Sequence, residues 1–195
     1  MGVSKQHLLI SPEDYLAGER MATQKHEYLN GVVYAMAGAC AGHNRIAGNI
    51  GRELGNRLEG KPCEPFIADM RVRVRTNHAE FYYYPDVLVD CSGSADSSSY
   101  ATEPRVIFEV LSPDTERTDR HEKLSYYQTI PSLKAYVIVD QFNIVMTVYR
   151  RTDEGWNSEI LTAGDTLELD CIQCRLPIEA AYQRTHLLPS AKVAG

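Results

Sequence analysis

Two carboxylates stand where carboxylates are costly. Asp86 follows Tyr83-Tyr84-Pro85 and precedes Val87-Leu88-Val89, and Glu109 interrupts Val106-Ile107-Phe108 and Val110-Leu111. Both runs are otherwise suited to burial, and a buried carboxylate without a partner is strongly unfavourable. One such acid fits a structural ion pair. Two on successive strands, with a further acid upstream, favour a shared cation. Hard cations such as magnesium take carboxylates, backbone carbonyls and water, which is the inventory here. Downstream, Arg120, Lys123 and Tyr127 recur at i, i+3 and i+7, so a helix there places them on one face. Lys123 can then point toward Glu109 while Glu122 faces away. The competing reading is a solvent-exposed lysine paired with Asp119 at i−4.

These residues need a scaffold, and its elements are legible. Ser11-Pro12-Glu13-Asp14 predicts a helix start, with Ser11 as N-cap and Pro12 in the first helical position, running to Ala17 or Gly18. A second helical stretch is expected over 23–29, which Asn30-Gly31 turns into a strand over 32–36. A small-residue loop over 35–42 leads to a helix over 43–58, where Ile46, Ile50, Leu54 and Leu58 recur at i, i+4. Its Gly48, Gly51 and Gly55 permit close packing against a sheet. The segments 66–75 and 81–90 read as neighbouring strands around a turn at Asn77-His78, and 91–102 as a mobile loop. An apolar strand over 106–111 and a charged helix over 115–128 follow. Strands over 134–140 and 144–150, a hairpin over 156–169 and a short helix over 177–182 complete the order. No repeat or long linker divides the chain. The expectation is one domain over 8–185, with a tail over 1–7 and a loose tail over 186–195.

Composition narrows the classes. A chain of 195 residues, 44% hydrophobic and 24% charged, fits a globular domain rather than a disordered one. No apolar run approaches the ~20 residues that span a bilayer. Residues 1–10 lack the pattern of a signal peptide, so a cytoplasmic protein with no membrane partner is expected. Five cysteines, an odd count, suit a reducing compartment better than a disulfide framework. Cys171 and Cys174 have C-x-x-C spacing, but no further ligands complete a zinc site, and the preceding Leu167-Glu168-Leu169-Asp170 alternates like a strand. A structural role is favoured for them. The net charge of −6 argues against a nucleic-acid binder that works by bulk electrostatics. It does not exclude a site whose own carboxylates carry the charge and whose bound cations reverse the local field. Arg71-Val72-Arg73-Val74-Arg75 places three arginines on one strand face and two valines on the other; that face is either a phosphate-contacting edge or merely solvated. Tyr82-Tyr83-Tyr84 suits either an interface or the core.

Pro85-Asp86, then Glu109-Val110-Leu111-Ser112-Pro113, then Asp119-Arg120-His121-Glu122-Lys123-Leu124-Ser125-Tyr126-Tyr127 resemble the Uma-type restriction endonuclease family, which shares the PD-(D/E)XK nuclease fold. Lys25-His26-Glu27-Tyr28-Leu29-Asn30-Gly31-Val32 followed by His43 is similar to that family's N-terminal signature. Ile130-Pro131-Ser132-Leu133-Lys134-Ala135-Tyr136-Val137-Ile138-Val139-Asp140 is similar to its late core strand. The resemblance extends over 8–182. It implies an α/β (α+β) fold: a restriction endonuclease-like core with a central mixed β-sheet flanked by helices. It also implies a metal-dependent endonuclease that hydrolyses DNA phosphodiester bonds with Mg2+ or Mn2+. Nucleases of this fold are often homodimers because cleavage of a duplex needs two sites, although the residues themselves fix no oligomeric state.

One departure stands out. The fold's signature places lysine two residues after the second acid, and that position is Leu111, which cannot supply charge. The resemblance implies that Lys123, on the following helix, takes that role. It further implies that Asp86, Glu109 and the Val110 carbonyl hold the metal, and that Glu27, on an N-terminal helix, completes the site. Lys123 then orients water or stabilises developing charge. Tyr127 positions a site residue, Arg120 shares the lysine's face toward substrate, and His43 either contacts phosphate or caps its helix. The stretch Gly38 to Gly42 forms the approach loop. The alternative is a catalytically silent nucleic-acid-binding or assembly module on the same fold, to which Leu111 and the acidic balance both point. A cysteine-based redox or metal protein through Cys171 and Cys174 is the third reading.

Overall fold

Ser11 caps the first helix as its residue type suggests: its hydroxyl accepts the Asp14 N–H at 3.0 Å at the start of α1 (Pro12–Glu19). The structure, a computed structural model, describes residues 9–113, 116 and 118–188. The expected N-terminal tail over 1–7 and the last part of the C-terminal tail, 189–195, lie outside these residues.

The expected helix over 23–29 is not formed. His26–Leu29 is strand β1, paired antiparallel to β2 (Val32–Ala35) around Asn30-Gly31, both at positive φ. The other edge of β1 pairs with β5 (Glu80–Tyr83), which stacks Tyr28 into a buried cluster with Tyr15 and Tyr82. Ladder bonds on both edges and burial of that ring outweigh the segment's local helical preference. Glu27 therefore sits on a strand and not on a helix.

The long helix α2 (Ala41–Leu58) buries Ile46, Ile50, Leu54 and Leu58, the stripe read from their spacing. It begins two residues early, so His43 lies inside its first turn and not ahead of it. A Cβ at Gly51 would collide with the Ile67 side chain of β3 (Glu64–Ile67), so glycine sets how closely helix and sheet approach.

Each of the two long strands expected over 66–75 and 81–90 divides between two sheets. Ala68, at positive φ, separates β3 from β4 (Arg71–Arg75), and Pro85 separates β5 from β6 (Val87–Asp90). The first sheet has the order β2-β1-β5-β4-β7, where β7 (Tyr100–Ala101) runs parallel to β4. The segment over 91–102 is thus not wholly loop. The second sheet has the order β11-β10-β9-β8-β6-β3. In it β8 (Pro104–Val110) and β9 (Ala135–Val139) are parallel and their neighbours antiparallel. The expected hairpin over 156–169 is replaced by two others. β11 (Gly155–Thr162) folds back on β10 (Val145–Thr152), with the Arg151 guanidinium 4.6 Å from the centre of the Trp156 ring. β12 (Thr166–Leu169) pairs with β13 (Cys174–Pro177). Among the described residues of the expected charged helix, Thr118–Lys123 forms a π-helical turn and α3 (Leu124–Tyr127) continues it. The architecture is mixed α/β, with a central mixed sheet flanked by helices, as expected.

Alternation along β8 divides the core. Val106, Phe108 and Val110 pack beneath α2, while Ile107 and Leu111 join a second cluster with Tyr127 and Tyr136. Glu109 shares that second face. Tyr82, Tyr83 and Tyr84 are all buried, so this run belongs to the core. Val72 and Val74 face inward as expected, yet Arg71 is buried too, donating to the Ser99 carbonyl at 3.0 Å.

Two further expectations change. Cys63 and Cys91 flank the paired residues Glu64 and Asp90 and form a disulfide. An odd cysteine count does not preclude one bridge, and only strand register placed this pair together. Cys40, Cys171 and Cys174 are free. Past the 3-10 turn Ile178–Tyr182, the chain stays attached: Gln183 bridges to Leu188, and Leu187 and Leu188 pack on the core. The loose tail therefore does not begin at His186. Among the described residues no helix is long and apolar enough to cross a membrane.

Candidate functional site

Four elements bring acids to one place. β8 carries Glu109, which is 3% exposed, and β1 carries Glu27. Asp86 lies in the break that Pro85 makes between β5 and β6. Its Oδ2 accepts the Val110 N–H at 2.7 Å, which ties this acid to the strand bearing Glu109. Asp119, on the π-helical turn, is the fourth acid and is also buried.

Lys123, the last residue of that turn, stands among three of them. Its Nζ is 3.2 Å from Glu27 Oε1, 3.2 Å from Glu109 Oε1 and 3.2 Å from Asp119 Oδ1. One turn on, the Tyr127 hydroxyl donates to Glu109 Oε1 at 3.1 Å, and the Tyr84 N–H holds Glu27 Oε1 at 3.2 Å. On α2, His43 Nε2 faces Asp86 Oδ2 at 3.2 Å, while its buried Nδ1 has no hydrogen-bond partner among the described residues. An open cavity of about 880 Å³ gives access, and Gly38, Ala39 and Cys40 from the approach loop form part of its wall.

The structure thus gathers Glu27, His43, Asp86, Glu109, Val110, Lys123 and Tyr127. It leaves Arg120 out: Nε bonds to Glu116 Oε1 at 2.9 Å, and the side chain does not line the cavity. Arg120, Lys123 and Tyr127 share one face only at the 3.6 residues per turn of an α-helix. A π-helical turn is wider, so positions i and i+3 no longer align. Glu122 accepts from the Tyr83 hydroxyl at 3.2 Å. The acid that spacing did not single out is Asp119. Its i−4 relation to Lys123 was visible, and both partners of that pair are buried instead of solvated.

The cluster is short of positive charge. Burial pushes the Glu109 carboxyl well above the usual carboxylate range; Lys123 pulls it down, and Asp119, Asp86 and Glu27 push it up again. Burial opposes the charged form of Lys123, but Glu109, Glu27 and Asp119 outweigh it and hold the ammonium well above the ordinary lysine range. Burial likewise opposes charging of His43, and its bond to Asp86 reverses the sign, raising it. Four carboxylates face one lysine and one histidine. On its chemistry the donor set fits a hard divalent cation: the carboxylates of Asp86 and Glu109 and the Val110 carbonyl are all oxygen donors. Among the described residues, no three His, Cys, Asp or Glu side chains converge in ligating geometry, because the lysine ammonium stands between the acids.

Comparison with known proteins gives a consistent picture. Two uncharacterized proteins of Synechocystis sp. are similar to this chain. One is 33% identical over 176 residues, covering 89% of this chain and 92% of the relative. The other is 36% identical over 152 residues, covering 76% and 85%. A solved structure from Anabaena variabilis, described as a putative nuclease belonging to DUF820, superposes with a TM-score of 0.69 at 14% identity. The match covers 89% of this chain and 97% of that one, so the two share a fold, which the family match identifies as restriction endonuclease-like. The family model for Uma2, described as "putative restriction endonuclease", matches residues 12–179, and the chain belongs to that family.

Proposed function

We propose that the protein is a metal-dependent endonuclease that hydrolyses DNA phosphodiester bonds at the cluster of Asp86, Glu109 and Lys123. The observation that carries this reading is the excess of carboxylates around one buried ammonium in an accessible cavity. Such an arrangement is costly for folding alone and is relieved by a cation. Membership of Uma2 supports the same chemistry.

Asp86, Glu109 and the Val110 carbonyl would hold magnesium or manganese. When bound, that ion supplies Lewis-acid charge to the phosphate oxygens and makes water a better nucleophile. The chain's own groups account for the rest. Lys123, kept charged by its acid neighbours, orients the attacking water and donates to the phosphoryl oxygen that gains charge. Glu27 accepts the water proton as the new P–O bond forms and the bond to the leaving oxygen breaks. Tyr127 fixes the Glu109 carboxylate, and His43 fixes Asp86.

The test is cleavage of supercoiled plasmid and of single-stranded circular DNA with magnesium or manganese. Asp86→Ala, Glu109→Ala and Lys123→Ala are each expected to lower the rate by roughly 10²-fold or more. A second reading, the catalytically silent module, is favoured by the ammonium acting as internal counter-ion and by Leu111 in the usual lysine position. Absence of cleavage with either metal on either DNA, together with no metal binding by calorimetry, would leave that reading in its place.

A further inference from the structure

Two exposed aromatic rings line the cavity that holds the acid cluster. Tyr34 is 53% exposed and Phe142 58% exposed, and among the described residues neither ring stacks on another aromatic. Their positions follow from register. Tyr34 on β2 pairs directly with Glu27 on β1, so the two side chains stand on the same face of the sheet. Phe142 follows the end of β9, three residues beyond Val139, which pairs with Val110, the neighbour of Glu109. The Phe142 turn is fixed as well: Asp140 Oδ1 accepts the Phe142 N–H at 2.7 Å and the Asn143 N–H at 3.0 Å. One ring thus comes from a strand of the first sheet, paired with Glu27, and the other from the turn after β9, the strand beside the one that carries Glu109.

The cavity's cations, by contrast, are engaged. Lys25 pairs with Asp69, Lys123 with three carboxylates and His43 with Asp86. With a net charge of −6, the chain has little to offer the evenly spaced phosphates of a duplex, whose binding depends on many Lys and Arg contacts. Stacking on exposed aromatics needs base faces, and a duplex keeps those inside its own stack.

We propose that the substrate is unpaired DNA, with bases stacked on Tyr34 and Phe142 while the phosphate between them reaches the acid cluster. This rests on the nuclease reading and specifies its substrate. One strand needs one site, so the argument for a dimer that cuts both strands of a duplex lapses.

The test is fluorescence anisotropy of the full chain with a labelled single-stranded oligonucleotide and with the same sequence as a duplex. Calcium is present because it takes the same oxygen donors. The single strand is expected to bind at least roughly tenfold more tightly than the duplex, and Tyr34→Ala and Phe142→Ala each to weaken single-strand binding about tenfold. Tyr34→Phe and Phe142→Trp, which keep a ring, are expected to bind like the unsubstituted protein. Equal or tighter binding of the duplex, or alanine variants that bind the single strand undiminished, would overturn the proposal. The two readings fail separately. Ring-dependent binding of single strands by a protein that cleaves nothing removes the nuclease reading and leaves unpaired DNA as a bound ligand rather than a substrate. Metal-dependent cleavage indifferent to both rings removes only this one.

Discussion

Glu80 and Glu109 lie on strands of the two main sheets, both largely withdrawn from solvent, and their surroundings answer that burial in opposite ways. Glu80 accepts from the Tyr82 hydroxyl at 2.7 Å and from Arg73 Nε at 3.0 Å, with Arg75 at 3.9 Å. Burial raises its carboxyl, but those donors outweigh it and hold it below the usual range. Glu109 shares a single ammonium with Glu27 and Asp119 and is raised. The first acid has more donors than it needs and makes a closed ion pair. The second belongs to a group with too few cations. Burial of a carboxylate is thus no sign of a site by itself; the local balance of charge separates structure from chemistry.

The largest expected effect comes from removing the cations. Lys123→Met leaves the buried Glu109 and Asp119 and the partly buried Glu27 uncompensated and should cost about 3–5 kcal/mol in urea denaturation. Arg73→Met should cost only about 1–2 kcal/mol, since Tyr82 and Arg75 still serve Glu80. Equal losses would break the comparison.

Next in size is the response to metal. Magnesium at about 100 times its Kd should stabilise the protein by about 2.7 kcal/mol, read as a rise in Tm. Glu109→Gln should abolish that rise and Glu80→Gln should leave it intact. A rise that survives Glu109→Gln would move the cation elsewhere.

The smallest effect differs in sign. Without metal at neutral pH, Glu80→Gln should destabilise by about 1 kcal/mol, while Glu109→Gln should be neutral or stabilising. The pH windows also run in opposite directions. A depressed carboxyl contributes stability that is full above its ordinary value and is lost as pH falls through the lower, folded one. The deficit of Glu80→Gln against the unsubstituted protein should therefore vanish in acid. A raised carboxyl binds its proton more tightly in the folded state, so its penalty is absent below the ordinary value and grows as pH rises above it. The advantage of Glu109→Gln should grow over that upper range. Parallel curves in chemical denaturation would refute the assignment of opposite shifts.

Much of this contrast was legible in the residues. Asp86 and Glu109 were conspicuous because apolar neighbours announce burial in a short window. Lys123 and Tyr127 are four residues apart, a spacing that reaches a common partner. The Ser11 cap and the stripe of α2 are equally local signals, which is why both appear where their patterns predict. Other features had no local signal. Glu27 lies on a strand because β2 and β5 pair with both its edges, Arg120 leaves the site because a π-helical turn alters the register, and Cys63 meets Cys91 through the pairing of β3 with β6.

The sequence by itself determined which side chains were available and which short segments had to be buried, since residue type and period act over one or two turns. Only the tertiary structure decided that Asp119 joins the acids, that one ammonium serves three of them, and that Tyr34 and Phe142 share their cavity. Charge balance depends on distances between strands far apart in sequence, and those distances exist only once the sheets have paired.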